Sequence, residues 1–397
     1  MLSRPQDPGR RYDWWRPDAA IKSPHLRFDT HFQADGLPVP AHDRILVAVS
    51  GGSDSLALLL LLHEWATASH RPVTIQAATV DHRLRTTSRG EAMKVAQMCG
   101  VIGVPHTILD WVHDRHSTGG AMQAREARYS LLMDHARDIG ATSIALGHTM
   151  DDQAETVLMR AQRGGGTRGY SAMAQWSHHA SPDWQVSLYR PLLGVRRDRL
   201  KQWLAERNVE WANDPSNEDM GAERVRCRAT LAAAPNGKYE ALARLAQLCG
   251  RHRAWMCGEA ARFIRRHASL NSKGQLILPL KLDCDQHALP IVSEALCALT
   301  TALGGRDYRL PREKFDGMAQ CWLTRKPMRI NVGGALLDNS RKGLTIGKEP
   351  PRRHSAPTTV RPSTDEPLHP AFERFVPATD LELRRAVLGV LRDTRSA

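Results

Sequence analysis

The sequence predicts an α/β fold: a doubly wound, mostly parallel sheet with helices on both faces, followed by helical and small α+β C-terminal parts. Three observations carry that reading. Between residues 45 and 162, short β-rich runs alternate with helical stretches of ten or more residues. A compact block, Ser50-Gly51-Gly52-Ser53-Asp54-Ser55, directly follows the first apolar run. After Gly164-Gly165-Gly166 the alternation loosens, and from Ala241 to His267 the pattern is mainly helical and basic.

Residues 1–43 are Pro-, Arg- and His-rich with little periodicity and read as a poorly ordered lead-in. Ile45 to Val49 is a buried strand that runs into the glycine block and then a helix from about Asp54 to Trp65. Val73 to Val80 is a second strand, and Ser88 to Met98 a polar helix. Pro105 to Trp111 forms a third strand. Gly120 to Ile139 has Ala, Met, Leu and Arg at helical spacing. Thr142 to Gly147 is a short buried strand, followed by a helix from Asp151 to Gln162. Tyr189 to Leu193 reads as an edge segment and Arg197 to Asn208 as a helix.

Residues 44–230 are assigned to one catalytic-type α/β domain, 231–346 to a basic helical and α+β region, and 347–397 to a linker and terminal helix. In the last part, 348–370 is Pro/Arg/Ser/Thr/His-rich. Thr379 with Glu382 fits a capping box for a helix from about Asp380 to Arg392.

The bulk composition narrows the class. At 397 residues, with 42% hydrophobic and 24% charged, the chain has material for two or three domains. Its longest apolar run, Leu56 to Leu62, is too short to cross a bilayer. The N-terminus carries charges and Trp14-Trp15 where a signal peptide needs an apolar core, which points to the cytoplasm and no membrane. Cys99, Cys227, Cys249, Cys257, Cys284, Cys297 and Cys321 never stand as C-x-x-C, so zinc-ribbon and thioredoxin-type chemistry lack their signature. Net charge is +13. Ten Lys/Arg between Arg224 and Arg266 are opposed within that segment by Glu240 and Glu259 alone, a net of +8 that favours a polyanionic partner.

The glycine block has direct physical logic. Gly51 and Gly52 permit torsions and close approach that a Cβ blocks. Successive backbone N–H groups then converge on an anion, and the helix starting near Asp54 adds its positive end. Ser50, Ser53 and Ser55 add hydroxyl donors. The block is neither a Walker loop nor G-x-G-x-x-G. Its bland alternative is a tight turn with Asp54 as a cap. An acidic residue beside a phosphate makes sense only if a cation offsets the repulsion, which makes Asp54 the metal candidate.

Val47-Ala-Val-Ser-Gly-Gly-Ser-Asp-Ser55 resembles the PP-loop of the N-type ATP pyrophosphatases, whose members adenylate a substrate with loss of pyrophosphate. Further motifs follow in order: Val80-Asp-His-Arg-Leu-Arg85, Gln123-Ala-Arg-Glu-Ala-Arg-Tyr129, Gly147-His-Thr-Met-Asp-Asp-Gln-Ala-Glu-Thr156, Arg163-Gly-Gly-Gly166, Arg190-Pro-Leu-Leu193, Asn213-Asp-Pro-Ser-Asn217 and Arg224-Val-Arg-Cys-Arg228. Their order and spacing are similar to the tRNA(Ile)-lysidine synthase family over residues 45–230. The family's Arg-Gly-Ser-Gly appears here as Arg163-Gly-Gly-Gly166, losing a hydroxyl.

The resemblance implies ATP and Mg2+ as cofactors, a CAU-anticodon tRNA(Ile) and free L-lysine as partners, and a homodimer. It implies adenylation of C2 of the wobble cytidine and displacement of AMP by the lysine ε-amine. Catalytic candidates are Asp54, Arg125, His148, Asp151, Asp152 and Glu155. Nucleotide-binding candidates are Ser50 to Ser55, Val80, His82, Arg85 and Arg128. Asp152 and Glu155 share a helix face, where they orient the lysine ammonium or accept its proton. The same pair also fits a capping box. Arg125 and Arg128 share a face and meet phosphate or adenylate, or else lie on a solvated face. Asp214 and Asn217 shape a turn. A PP-loop thiolase on this scaffold would need positioned cysteines, and a silent tRNA-binding protein would not need the intact loop and acids.

Overall fold

The computed structural model describes residues 43–68, 73–83, 88–112, 121–180, 185–212, 223–279, 289–304, 310–340, 343–349, 376–377 and 380–392. Residues 1–42 of the lead-in, residues 350–370 of the linker, Arg85, Asp214, Asn217 and Thr379 lie outside the described residues. The chain divides into two compact units, Met1–Leu248 and Cys249–Ala397.

The first unit is built on β1 (Asp43–Ala48), α1 (Ser53–Ala68), β2 (Val73–Asp81), α2 (Ser88–Val101), β3 (His106–Asp110), α3 (Ala121–Asp138), β4 (Ser143–Leu146) and α4 (Met150–Gln162). A single turn α5 (Thr167–Tyr170), β5 (Trp176–Ala180), β6 (Gln185–Tyr189), a 3-10 turn (Pro191–Gly194), α6 (Arg197–Ala205) and α7 (Glu223–Ala232) follow. Within this unit the strands run β5-β6-β4-β1-β2-β3. All neighbours are parallel except β5 with β6. The crossovers β1–α1–β2 and β2–α2–β3 step one way; β3–α3–β4 and β4–α4–β6 step the other. Right-handed connections then put α1 and α2 on one face and α3 and α4 on the opposite one. The order reverses between β1 and β4, which is where open α/β sheets bind ligands.

Burial explains why this arrangement forms. Ile45, Leu46 and Val47 are fully buried in β1, as a parallel strand covered on both faces requires. In α1, Leu58, Leu59, Leu60 and Leu62 are buried on every side, because the helix is sandwiched between the sheet and α6. Trp203, Leu204 and Leu200 form the buried face of α6. On the other side, α4 packs against α7.

One expectation is corrected here. Tyr189 to Leu193 is no edge segment. Strand β6 pairs with β4 on one side and β5 on the other, and Tyr189 is wholly buried under Trp176, ring centroids 4.1 Å apart. The strand stops there because Pro191 has no N–H for a ladder. Neither β5 nor β6 stood out as a strand in the sequence.

The long helix α8 (Lys238–His267) runs across the boundary in sequence. The second unit carries a five-stranded antiparallel sheet, β7 (Ser269–Leu270), β8 (Leu276–Leu278), β9 (Met328–Val332), β10 (Ala335–Ser340) and β11 (Gly343–Lys348), in the order β7-β8-β11-β10-β9. Helices α9 (Leu289–Gly304), α10 (Asp316–Leu323) and α11 (Leu381–Arg392) cover its core, with Leu296, Leu299, Phe315, Leu337 and Val387 fully buried. Asp380, just before α11, takes a two-pronged bond from Arg253, Nε to Oδ1 at 2.7 Å and the terminal nitrogen to Oδ2 at 2.5 Å. No helix among the described residues is long and apolar enough to cross a membrane.

The end of β4 meets the start of α1 with almost no clearance. A Cβ on Gly147 would lie 3.0 Å from both the backbone N and the Cα of Ser55. Gly147→Ala should therefore cost about 1–3 kcal/mol of stability, as overpacking against backbone does. Urea denaturation checks this. An unchanged midpoint would show that the helix start shifts freely.

Candidate active site

The phosphate-loop block sits at the carboxyl end of β1. Gly51 has φ +85°, a conformation that a side chain would strain. Val49 N–H donates to Ala78 O at 2.8 Å, and Ala212 N–H to Gly51 O at 2.9 Å, so the loop is held from both sides. Ser55 acts inside the loop. Its Oγ accepts from Ser50 N–H at 3.1 Å, donates to Gly52 O at 3.0 Å and lies 3.2 Å from Ser50 Oγ. Ser53 Oγ donates to Asp54 Oδ1 at 3.1 Å.

Helix α4 supplies the acids. Thr149 donates its backbone N–H to Asp152 Oδ2 at 2.7 Å and its hydroxyl to the same oxygen at 2.9 Å. The capping box is thus Thr149 with Asp152, not Asp152 with Glu155. Glu155 points into the protein and is fully buried. A buried carboxylate without partners is prohibitively costly, and the partners come from far along the chain.

Arg197, at the start of α6, is the hub. Its Nε donates to Asp54 Oδ2 at 2.7 Å, one terminal nitrogen to Asp152 Oδ1 at 2.9 Å, and the other lies 3.6 Å from Glu155 Oε1. Its own backbone N–H donates to Asp151 Oδ2 at 2.8 Å. Arg196 reaches Asp151 at 3.3 Å and Glu240 at 3.3 Å, and stacks over the Tyr239 ring at 3.8 Å. From α7, Arg224 bonds Glu155 Oε2 and Asp152 Oδ1, each at 2.6 Å, and Arg228 bonds Glu155 Oε1 at 2.9 Å. The carboxylates of Asp54, Asp151, Asp152 and Glu155 are met by the guanidiniums of Arg196, Arg197, Arg224 and Arg228.

Protonation follows from these neighbours. Burial is the largest influence on Asp54 and raises its pKa, outweighing Arg197; the nearby charge of Asp152 adds to the rise. For Asp152, burial is again the largest single influence, but Arg197 and Arg224 together overcome it and hold the pKa low. Burial and the surrounding Arg190, Arg125 and Arg224 push His148 down to about 3, despite Asp152. Its Nδ1 is shielded from solvent and has no hydrogen-bond partner among the described residues.

The basic side of the site lies around α3. Arg125 is exposed, reaches Tyr129 Oη at 3.3 Å, and its guanidinium lies 5.2 Å from the ring centroid. Tyr129 in turn bonds Arg190, whose guanidinium also donates to Ala174 O at 2.9 Å and Ser177 Oγ at 3.1 Å. Arg128 has no carboxylate partner among the described residues, and burial lowers its pKa. At the end of β2, His82 stands edge-on to Trp111, ring centroids 5.9 Å apart. Beside it the buried Asp81 accepts from Ser88 Oγ at 2.6 Å and Arg83 N–H at 3.0 Å. Val80 pairs with Leu109 of β3.

Asp54, Asp151, Asp152 and Glu155 are therefore gathered by shared cations, with His148 within electrostatic reach of Asp152. The sequence reading did not single out Arg196 and Arg197. A second correction concerns the basic segment. Arg224 and Arg228 serve the acids, Arg253 serves Asp380, and Arg262 and Arg265 pair with Glu259 and Glu382. At least five of the ten cations face acids, so counting charges along the sequence overstates the free positive charge.

A magnesium ion needs one or two carboxylates plus phosphate oxygens rather than an all-protein cage. Among the described residues no group of three His, Cys, Asp or Glu could hold a metal ion. Asp54 is the carboxylate beside the phosphate loop, and its Oδ1 accepts from Ser53 while its Oδ2 accepts from Arg197.

The chain is similar to known proteins over most of its length. A family described as the PP-loop domain matches residues 25–234. The tRNA(Ile)-lysidine synthase of Mesorhizobium japonicum is 43% identical over 79% of this chain and 70% of that protein. The tRNA(Ile)-lysidine synthase of Brucella melitensis is 36% identical over 75% of this chain and 66% of that protein. This chain thus spans about two thirds of its curated relatives' length. A solved structure, the U34-tRNA thiolase NcsA from Methanococcus maripaludis, superposes with a TM-score of 0.44 at 16% identity, covering 52% of this chain and 73% of that one.

Two measurements test the electrostatics. Arg197→Ala leaves three carboxylates short of a cation and should cost about 3–5 kcal/mol in denaturant unfolding. Because Asp54 shares that cation, adding Asp54→Asn to Arg197→Ala should cost less than the two single effects summed; strict additivity would show the two residues are not coupled.

His148 concerns pH. Its folded pKa is depressed to about 3 against an ordinary 6.5, so below pH 6.5 the unfolded chain takes up a proton that the native chain does not. Its linkage lowers stability as pH falls through that window. His148→Gln should remove this slope, seen as a wild-type advantage that shrinks on acidification. A difference independent of pH would mean that His148 ionises freely in the fold.

Proposed function

Because the chain belongs to the tRNA(Ile)-lysidine synthases of the PP-loop family, we propose that it joins free lysine to C2 of the wobble cytidine of a CAU-anticodon tRNA(Ile), in two steps at one site. The observation that carries this reading is Arg197, which binds Asp54 on the phosphate-loop helix and Asp152 on α4 with a single guanidinium. A group that leaves from the loop and a group that binds at the α4 acids then meet over a few ångströms.

In the first step the C2 oxygen of cytidine attacks the α-phosphorus of ATP. The new P–O bond forms as the bond to pyrophosphate breaks. The loop N–H groups and the start of α1 hold the leaving pyrophosphate. Bound at Asp54 and the phosphates, Mg2+ would neutralise charge developing there. Arg128 and Arg125 offer cations to the phosphate or adenylate. In the second step the neutral ε-amine of lysine attacks C2, the C2–O bond breaks, and AMP departs with that oxygen. The bound ammonium gives one proton to solvent to become the attacking amine, and the nitrogen gives a second to solvent once the C–N bond has formed. The product, lysidine, changes codon reading from AUG to AUA. ATP, lysine and tRNA meet in the cytoplasm, the compartment this reading assigns.

The acids orient rather than deprotonate. All four oxygens of Asp152 and Glu155 already accept from Thr149, Arg197, Arg224 or Arg228. The cations hold Asp152 at a low pKa, where it is a poor base. The lysine ammonium binds by exchange with a guanidinium. A thiolase reading has less support: Cys99 is fully buried with its thiol pushed up to about 12, and burial also raises Cys227.

AMP release that requires both lysine and tRNA is the expected result. Release without lysine would remove this assignment. Asp54→Asn should lower pyrophosphate release on the order of 10²-fold while tRNA affinity stays near wild type; undiminished turnover would take Asp54 out of the metal-binding role.

A further inference from the structure

Helix α8 presents an unusual outer face within the second unit. Arg251, Trp255, Arg262 and Arg266 fall within about 60° of one another around the helix axis and along about 22 Å of its length. The opposite face is the buried one, with Met256, Cys257, Ala260, Phe263 and Ile264 in the core. Trp255 is 53% exposed, among the most exposed large apolar side chains described. The His252 ring lies 5.8 Å from it, tilted by 33°. Arg262 pairs with Glu259, whereas Arg251 and Arg266 have no carboxylate partner among the described residues.

An exposed indole costs free energy in water, and two unmatched cations on the same strip attract negative charge. Within the second unit, the exposed large apolar side chain of this strip is Trp255, with arginines on either side, which makes an apolar protein partner a poor fit. An RNA duplex is a poor fit too, because its stacked bases offer no π-face to an indole. An unpaired stretch of several nucleotides fits both features: one base stacks on the ring, and phosphates spaced along the stretch meet the arginines.

We propose that this strip of α8 is an RNA contact, with Trp255 stacking on an unpaired base of the tRNA and Arg251 and Arg266 holding the flanking backbone. The inference rests on tRNA being the substrate, as argued above. It adds a base-stacking residue outside the PP-loop domain and gives two of the remaining cations, Arg251 and Arg266, a partner.

The test uses the full chain and a tRNA(Ile) transcript, with affinity measured over a series of salt concentrations. Trp255→Ala should weaken binding on the order of 10-fold with the salt slope unchanged, and Trp255→Phe should restore most of it. Replacing Arg251 and Arg266 together by Ala should weaken binding and reduce the slope by about 1.4 to 1.8, two phosphates' share. Equal affinity of wild type and Trp255→Ala overturns the strip while leaving the substrate reading intact. A shift in solution mass with Trp255→Ala also overturns it, since the face would then seat a second copy. A wild-type chain that binds no tRNA overturns both readings.

Discussion

One guanidinium holds the site together. Arg197 is the shared counter-charge of carboxylates on two different helices, and all of them lie largely out of water. Taking such charges from solvent is costly and is offset only by close, directed partners. Everything around it serves that geometry. Helix α6 places Arg197 because its apolar face packs on α1, and α7 brings Arg224 and Arg228 to Glu155 because it packs on α4. The acids of α4 and the phosphate loop of α1 consequently share one electrostatic unit.

That unit sits between two binding chemistries. On the loop side, backbone N–H groups and a helix start favour an anion. On the α4 side, the carboxylates favour a cation. A cation that arrives there must replace a guanidinium already bound, as the proposed lysine ammonium would. His148 stays neutral near the junction, since burial and the cations about it oppose a further positive charge. An uncharged imidazole there leaves the acids' field undiminished.

Charge along the sequence and charge available at the surface proved to be different quantities. The stretch from Arg224 to Arg266 looks uniformly basic, yet acids from elsewhere, Asp152, Glu155, Asp380 and Glu382, fold onto it. The cations left over are fewer and better placed. Arg251 and Arg266 share the strip of α8 that exposes Trp255.

The sequence by itself determined the local features. The Ser50–Ser55 block, the alternation of strands and helices, and the acids opening α4 are written within short windows, because torsional freedom, apolar periodicity and capping are short-range effects. The family motifs lie in the same windows. Strands β5 and β6 were not legible: their pairing, and Tyr189's burial under Trp176, depend on partners rather than on pattern. The capping box was seen three residues out of register because Asp152 and Glu155 look alike in one dimension. Only Thr149's bonds and Glu155's burial separate the cap from the buried acid. Arg197 was invisible as a site residue. It lies 143 residues from Asp54 in the chain, and nothing nearby in sequence marks it. Tertiary structure decided that pairing, because an ion pair's strength depends on distance and burial, and both exist only once α6 has docked on α1.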